Sequence, residues 1–414
     1  MKTAIIGAGI SGLSIARMLQ DEHDVTIFEK NETPGGLCRC KTEQGALFHL
    51  TGGHCFNSRR SDVLAWFWSQ KKDFQNDFVK VPRFAVVSLA DGSVVKYPIE
   101  NHIYQMPEAL QKAVIQDLLN MNQSAALMAD NFNDFLRHQF GETLYKEYFA
   151  PYNEKIWQRS LNDVPISWLQ GKLPMPSVQD ILLANFNHKE EQQMVHSTFY
   201  ASKQNGSQHI IETLAEGLDI RVNTPISKIC RSSQRWKING ELFDCIIYCA
   251  NSRDLPDILK DVDTTAILPL KRLEYHGTTS VLCELESTPY TWVYMPSKGH
   301  KSHRIICTGN YYEGNNPQGK ATGIVEFSTK LSKEAILEQL SKIPFSPKYI
   351  SHHWEACSYP VQNGETRTII ETAKAALQPL NFHLLGRFAE WEYYNMDAAM
   401  AAALELNNKL ILQP

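Results

Sequence analysis

Three glycines in the segment Gly7-Ala-Gly9-Ile-Ser-Gly12 follow directly on an apolar β-run, Lys2-Thr-Ala-Ile-Ile6. Each has its own task if the segment binds a dinucleotide. Gly7 permits the tight bend, Gly9 lets backbone approach a pyrophosphate, and Gly12 lets the next helix pack close to the strand. That helix, expected over residues 10–20, aims its N-terminal N–H groups and the positive end of its dipole at the phosphates. A second strand, over residues 25–28, ends on Glu29, seventeen residues past Gly12. An acid there accepts hydrogen bonds from a ribose hydroxyl. The plainer alternative is a glycine turn with a structural acid beyond it; the βαβ context favours the nucleotide.

The elements that must hold these groups can be traced along the chain. Asp91-Gly92, between apolar runs at 84–89 and 93–98, reads as a hairpin. Residues 107–186 turn helical, with Leu110, Val114, Leu118 and Leu119 at spacings of three and four. Strand signals return at 217–222, 245–250 and 279–283, and residues 293–327 read as further strands broken by loops at 296–302 and 312–320. The chain closes with Leu384-Leu-Gly386-Arg387 and a helix over 397–406 whose alanines suit close packing. The expected architecture is α/β. A Rossmann-like nucleotide-binding domain, discontinuous over 1–78, 205–268 and 350–414, is interrupted by a mainly helical insertion at 105–204. A β-sheet substrate domain comes from 79–104 and 269–349.

Bulk properties exclude several function classes. With 414 residues the chain can build two or three domains with substantial cores. A formal charge of −4 gives no electrostatic case for nucleic acid. Nine cysteines without repeated CxxC pairs fit a reduced protein rather than a disulfide scaffold. Cys38, Cys40, Cys245 and Cys249 lie in or beside apolar runs and read as buried thiols rather than metal ligands. No residue set has metal-ligand spacing; His352 and His353, adjacent on a strand, would point oppositely. No run of 18 or more apolar residues appears and the chain enters a strand at once, so a soluble, cytoplasmic protein is expected.

Beyond Glu29, the run Glu29-Lys30-Asn-Glu-Thr-Pro-Gly35-Gly36-Leu37-Cys-Arg39 resembles the extended fingerprint of the FAD-dependent amine oxidase and UDP-galactopyranose mutase superfamily. There the second glycine pair lies against the dinucleotide, so the implied cofactor is FAD and not NAD. His49-Leu-Thr-Gly52-Gly53-His54-Cys-Phe56 resembles the segment beside the flavin ring in UDP-galactopyranose mutases. Tyr148-Phe-Ala-Pro-Tyr152-Asn153-Glu-Lys155-Ile-Trp157 is similar to their uridine-binding stretch, in its eukaryotic-type form. Thr291-Trp-Val-Tyr294-Met-Pro296, with Arg304 and Asn310-Tyr311, resembles the strand and loop that bear a phosphate-binding tyrosine and arginine. Ser358-Tyr359-Pro-Val361 and Gly386-Arg387-Phe-Ala-Glu-Trp391-Glu-Tyr393 resemble the closing segments. The resemblance runs from Gly7 to Met400 or so.

It implies an FAD-dependent mutase that interconverts the pyranose and furanose forms of a UDP-sugar, UDP-galactose first. In that family N5 of the reduced flavin attacks the anomeric carbon and UDP departs; NAD(P)H is a possible reductant. Cofactor contacts are implied for Gly7, Gly9, Ile10, Ser11, Gly12, Glu29, Lys30, Gly35, Gly36 and Leu37, and for Gly53, His54, Ile226, Gly386, Arg387, Met396 and Asp397. Tyr148 or Trp157 would stack on the pyrimidine, and Asn153 would hydrogen-bond it. Tyr294, Tyr359, Tyr393 and Arg304 would serve the diphosphate, while His54 would tune the flavin through local hydrogen bonds. One departure falls at Lys172, in Trp168-Leu-Gln-Gly171-Lys172-Leu-Pro174, where the family's mobile loop carries a second arginine. Lysine keeps the charge for the leaving group but loses the bidentate fork. Read singly, Trp157 and Trp391 are ordinary core aromatics, His54 a structural histidine, Arg304 a surface charge and Lys172 a solvated lysine. Two other functions stay open: an FAD-dependent amine or protoporphyrinogen-type oxidase, and a flavin-binding scaffold without catalysis.

Overall fold

The computed structural model describes residues 1–166, 175–188 and 197–411. Alternation along Lys2–Ile6 puts Ala4 and Ile6 on one face and Ile5 on the other, all buried. This strand is the centre of a five-stranded, all-parallel sheet in the order Phe382–Leu384, Cys245–Tyr248, Lys2–Ile6, Asp24–Phe28, Asp219–Arg221. A parallel sheet needs cover on both faces. Ile5, Ile27 and Ile247 pack with the helices Ile10–Leu19, Ser207–Ala215 and Met396–Ile411. Ala4, Ile6 and Ile246 pack with the meander Ile229–Ser232, Arg235–Ile238, Glu241–Phe243 and the helix Thr366–Leu377.

A second, seven-stranded sheet runs Lys348–Val361, Glu274–Leu285, Ala321–Phe327, Arg304–Ile306, Trp292–Tyr294, Ala85–Ser88, Val94–Lys96. The hairpin expected at Asp91-Gly92 joins the last two strands, with Gly92 at φ +87°. The boundary expected at 350 falls inside Lys348–Val361, which pairs antiparallel with Glu274–Leu285 and so belongs to this sheet. Phe78–Pro82 does not join it; that strand pairs with Thr198–Ser202 in a separate ribbon. Alternation within one strand fixes its faces but not its partner, so neither assignment was available locally.

Period-two alternation also divides the large sheet. Val293, Ile305 and Val325 face the helix Lys333–Leu340, while Trp292, Ile306 and Ile324 face the helical unit. That unit comprises Glu108–Asn120, Phe132–Phe140, a run over 142–157, and Val178–Phe186. Within the run, a π-turn at Tyr145–Phe149 precedes Pro151, which has no N–H to donate to the preceding turn. No described helix is long and apolar enough to cross a membrane, and all nine cysteines are free.

Candidate active site

At the N-terminal turn, Gly7 sits at φ +106° and donates its N–H to Phe28 O at 2.8 Å. A Cβ on Gly12 would lie 2.0 Å from Gly7 O, so the protein's own packing requires glycine there. Gly9 differs, because the nearest atom to a Cβ would be Gly36 Cα at 4.0 Å. The protein leaves that backbone open at the N-terminus of Ile10–Leu19, where a phosphate fits. Gly35 closes on the same turn, its N–H donating to Ala8 O at 2.8 Å. Glu29 is buried; Oε2 accepts the Ala8 N–H at 2.8 Å, and Oε1 accepts both the Asn31 N–H at 2.9 Å and Asn31 Nδ2 at 2.8 Å. The carboxylate thus braces the turn and keeps about one lone-pair site for a ribose hydroxyl. Open amides beside an anchored carboxylate fit a dinucleotide.

Next to the Gly52-Gly53-His54 segment opens a cavity with about 170 Å³ of space accessible to water. One wall is a cross-strand row in which Tyr294 stands opposite Arg304, and Arg304 opposite Glu326. These three share the sheet face of Trp292, Ile306 and Ile324, two residues along each strand. Arg304 Nε donates to the Glu326 carboxylate, and Nη2 donates to Tyr359 OH at 3.1 Å. Glu326 is 1% exposed. Burial opposes its ionisation, but the Arg304 charge and the contacts from Arg304 and His303 outweigh it and hold the carboxyl at about 2. His303 Nε2 lies 3.6 Å away, and burial lowers its pKa so that it stays neutral.

Tyr359 is stacked between His276 and Tyr393, with ring centroids 4.9 and 5.5 Å away. Burial raises its phenol pKa, which keeps the hydroxyl protonated. Because the Tyr359 oxygen accepts from Arg304, its proton is free for a ligand. Arg387 lies over the Tyr393 ring at 4.8 Å and spends three of its five donors on Tyr394 O and Ser358 O. His54 has a buried Nε2 with no hydrogen-bond partner among the described residues; burial first, then Arg387 and His49, lower its pKa to about 3. Behind the row, Lys155 Nζ donates to Met295 O at 2.9 Å, Ser297 O at 2.5 Å and Ser302 O at 2.8 Å. It ties both ends of the loop between Tyr294 and Arg304, and burial lowers its pKa to about 7.

Of the expected site residues, Gly53, His54, Tyr294, Arg304, Tyr359 and Tyr393 line the cavity, as do Arg387, Met396 and Asp397. Ile10, Ser11, Gly36 and Leu37 lie in the glycine turns, and a Cβ on Gly386 would meet Ser11 Oγ at 2.5 Å. Lys30 is exposed just beyond Glu29, and Ile226 packs at the edge of the meander core. Tyr148 and Trp157 are buried between the helical unit and the sheet, not on the cavity wall; Tyr148 stacks on Tyr152 at 5.5 Å. The Asn153 amide donates to Phe149 O at 2.7 Å. Lys172 lies outside the described residues. Sequence reasoning missed Arg83, Trp292 and Glu326, which all line the cavity. Glu326 had a signal, a lone carboxylate in the apolar run Gly323-Ile-Val-Glu326-Phe; Arg83 had none.

Residues 5–70 match the NAD(P)-binding Rossmann-like domain family. A dTDP-fucopyranose mutase from Escherichia coli is 22% identical over 98% of this chain and 97% of its own length. A UDP-galactopyranose mutase from Mycoplasma pneumoniae is 21% identical over 98% of this chain and 95% of its own. A solved structure of reduced UDP-galactopyranose mutase superposes with a TM-score of 0.86 at 21% identity, covering 99% of this chain and 93% of that one. The fold is that of a UDP-galactopyranose mutase. A putrescine oxidase shares it more distantly, with a TM-score of 0.66 and 15% identity over 100% of this chain and 99% of that one. The mutase likeness therefore covers both sheets and the helical unit, well beyond the glycine turn.

Proposed function

We propose that the chain is an FAD-dependent mutase that interconverts the pyranose and furanose forms of a nucleoside-diphosphate sugar. The observation that carries this is the cavity lining, where Arg83, Arg304 and Arg387 stand with the hydroxyls of Tyr294, Tyr359 and Tyr393 beside the glycine cradle. Such a lining suits a dianionic diphosphate. Three guanidiniums against the two lining carboxylates, Glu326 and Asp397, leave the wall net positive, which disfavours an ammonium substrate. Gly9, Gly35, Gly36 and Glu29 would hold FAD, which in its reduced form supplies the nucleophile for the anomeric carbon.

The chain's own residues bind, orient and stabilise. The Tyr359 and Tyr294 oxygens each accept from an arginine, so their protons turn toward phosphate oxygens. The arginines stabilise the negative charge that develops on the departing nucleoside diphosphate. His54, neutral at physiological pH, lines the cavity and carries a buried Nε2 that has no partner among the described residues and would serve the bound ligand or flavin. UDP-galactose is the first substrate candidate and dTDP-fucose the second. The test loads the protein with FAD, reduces it with dithionite, and separates the products from UDP-galactopyranose and from dTDP-fucopyranose by anion-exchange chromatography. A furanose product is expected from one of them. No furanose from either, together with flavin bleaching by amines, would overturn the reading in favour of an oxidase.

A further inference from the structure

The three cavity arginines are not equivalent, and their partners separate them. Arg304 is neutralised by a buried carboxylate in direct contact, Glu326. Arg387 has Nε and Nη2 on Tyr394 O, at 3.0 and 2.5 Å, and Nη1 on Ser358 O at 3.1 Å. Arg83 has neither kind of partner. Among the described residues, no carboxylate lies within 4.0 Å of its guanidinium, and the side chain's sole hydrogen bond is from Nη2 to Tyr294 OH. Its Nε is buried without a partner. Four of its five N–H donors are therefore uncommitted.

The guanidinium is nonetheless held in place. Its central carbon lies 5.0 Å from the Trp292 ring centroid and 5.7 Å from that of Tyr97. Contacts of this kind fix the plane of the group without using its N–H donors. The position follows from the chain path. Arg83 sits between the ribbon strand Phe78–Pro82 and the sheet strand Ala85–Ser88, where the chain crosses from one to the other beside Trp292–Tyr294. The other lining carboxylate, Asp397, sits in the first turn of Met396–Ile411, where the helix dipole stabilises it.

On the nucleotide-sugar reading above, we infer that Arg83 is the direct phosphate contact of the ligand, with Arg304 its charge-compensated neighbour. A diphosphate brings two negative charges into a cavity where the Arg304 charge is already balanced. Arg83 meets them with a preoriented, uncompensated fork beside a tyrosine hydroxyl whose proton is free to donate. The fork also supplies a second strong cation whatever residue 172 contributes.

The experiment measures calorimetric affinities of the FAD-loaded protein for UDP, dTDP and uridine, in wild type, Arg83→Met and Arg83→Lys. Loss of charge-assisted hydrogen bonds should weaken UDP and dTDP about 10- to 100-fold in R83M while uridine stays within about 2-fold. R83K should fall between, because it keeps the charge and loses the fork. UDP affinity in R83M within about 2-fold of wild type would overturn the assignment, and so would equal losses for UDP and uridine, which mark a merely structural residue. If R83M fails to retain FAD or to unfold cooperatively, R83K decides: a UDP affinity equal to wild type overturns the assignment. A wild type that binds neither UDP nor dTDP is a different result, and refutes the nucleotide-sugar reading itself.

Discussion

Replacing Arg304 by methionine removes the charge that balances Glu326 and leaves a carboxylate that is 1% exposed facing only neutral His303. Breaking a buried ion pair from one side costs about 3–5 kcal/mol, because the remaining charge cannot be solvated. For a chain of 414 residues, that is a fall of roughly 3–6 °C in unfolding temperature. The pH dependence gives an independent measure. Glu326 is held at about 2 in the fold against an ordinary 4.5, so its contribution, about 3 kcal/mol, is complete above pH 4.5 and disappears as pH falls from there through 2. In R304M the sign reverses: burial then raises the carboxyl, and acidification toward that raised value recovers stability. The assay is thermal unfolding of FAD-saturated wild type, R304M, E326Q and R304M/E326Q at pH 7 and pH 5. R304M/E326Q should regain most of the loss, since no charge is then stranded. An R304M that unfolds at the wild-type temperature, or a double variant no more stable than R304M, would refute the compensation argument. UDP affinity should follow the same order, because the stranded Glu326 carboxylate of R304M repels phosphate and the double variant does not.

Gly9→Ala and Gly12→Ala should fail for different reasons. The protein has room for a Cβ at residue 9 but not at residue 12, where it would sit 2.0 Å from a carbonyl oxygen. The apo-protein of G9A should unfold like wild type yet lose FAD affinity about tenfold or more, while G12A should lose about 1–3 kcal/mol or more of stability; full FAD retention by G9A would exclude close cofactor approach there. His54, held at about 3, should show constant side-chain nitrogen shifts in NMR between about pH 5 and 9, whereas a midpoint near 6.5 would contradict its burial. Lys155→Met should cost about 2–4 kcal/mol in denaturant unfolding, because three carbonyls lose their donor. It should also speed proteolysis of the loop over 296–302, and unchanged cleavage would show that the tie does not hold the loop.

Residues acting within a turn or a single strand were legible from the chain alone. The glycine spacing, the acid at Glu29 and the Asp91-Gly92 hairpin appear where the sequence puts them, because φ restrictions and period-two alternation are local. The tertiary structure decided what no local rule carries. Strand register set Tyr294, Arg304 and Glu326 in one row and so turned an apparently free arginine into half of an ion pair. It also carried Arg83 into the cavity from a strand junction with no motif. An aromatic side chain reads alike whether it stacks on a base or on a neighbour, and packing placed Tyr148 against Tyr152 in the core. Residue type and spacing therefore marked the cofactor turn, while charge balance, a property of neighbours far apart in sequence, was fixed only when the two sheets and the helical unit came together.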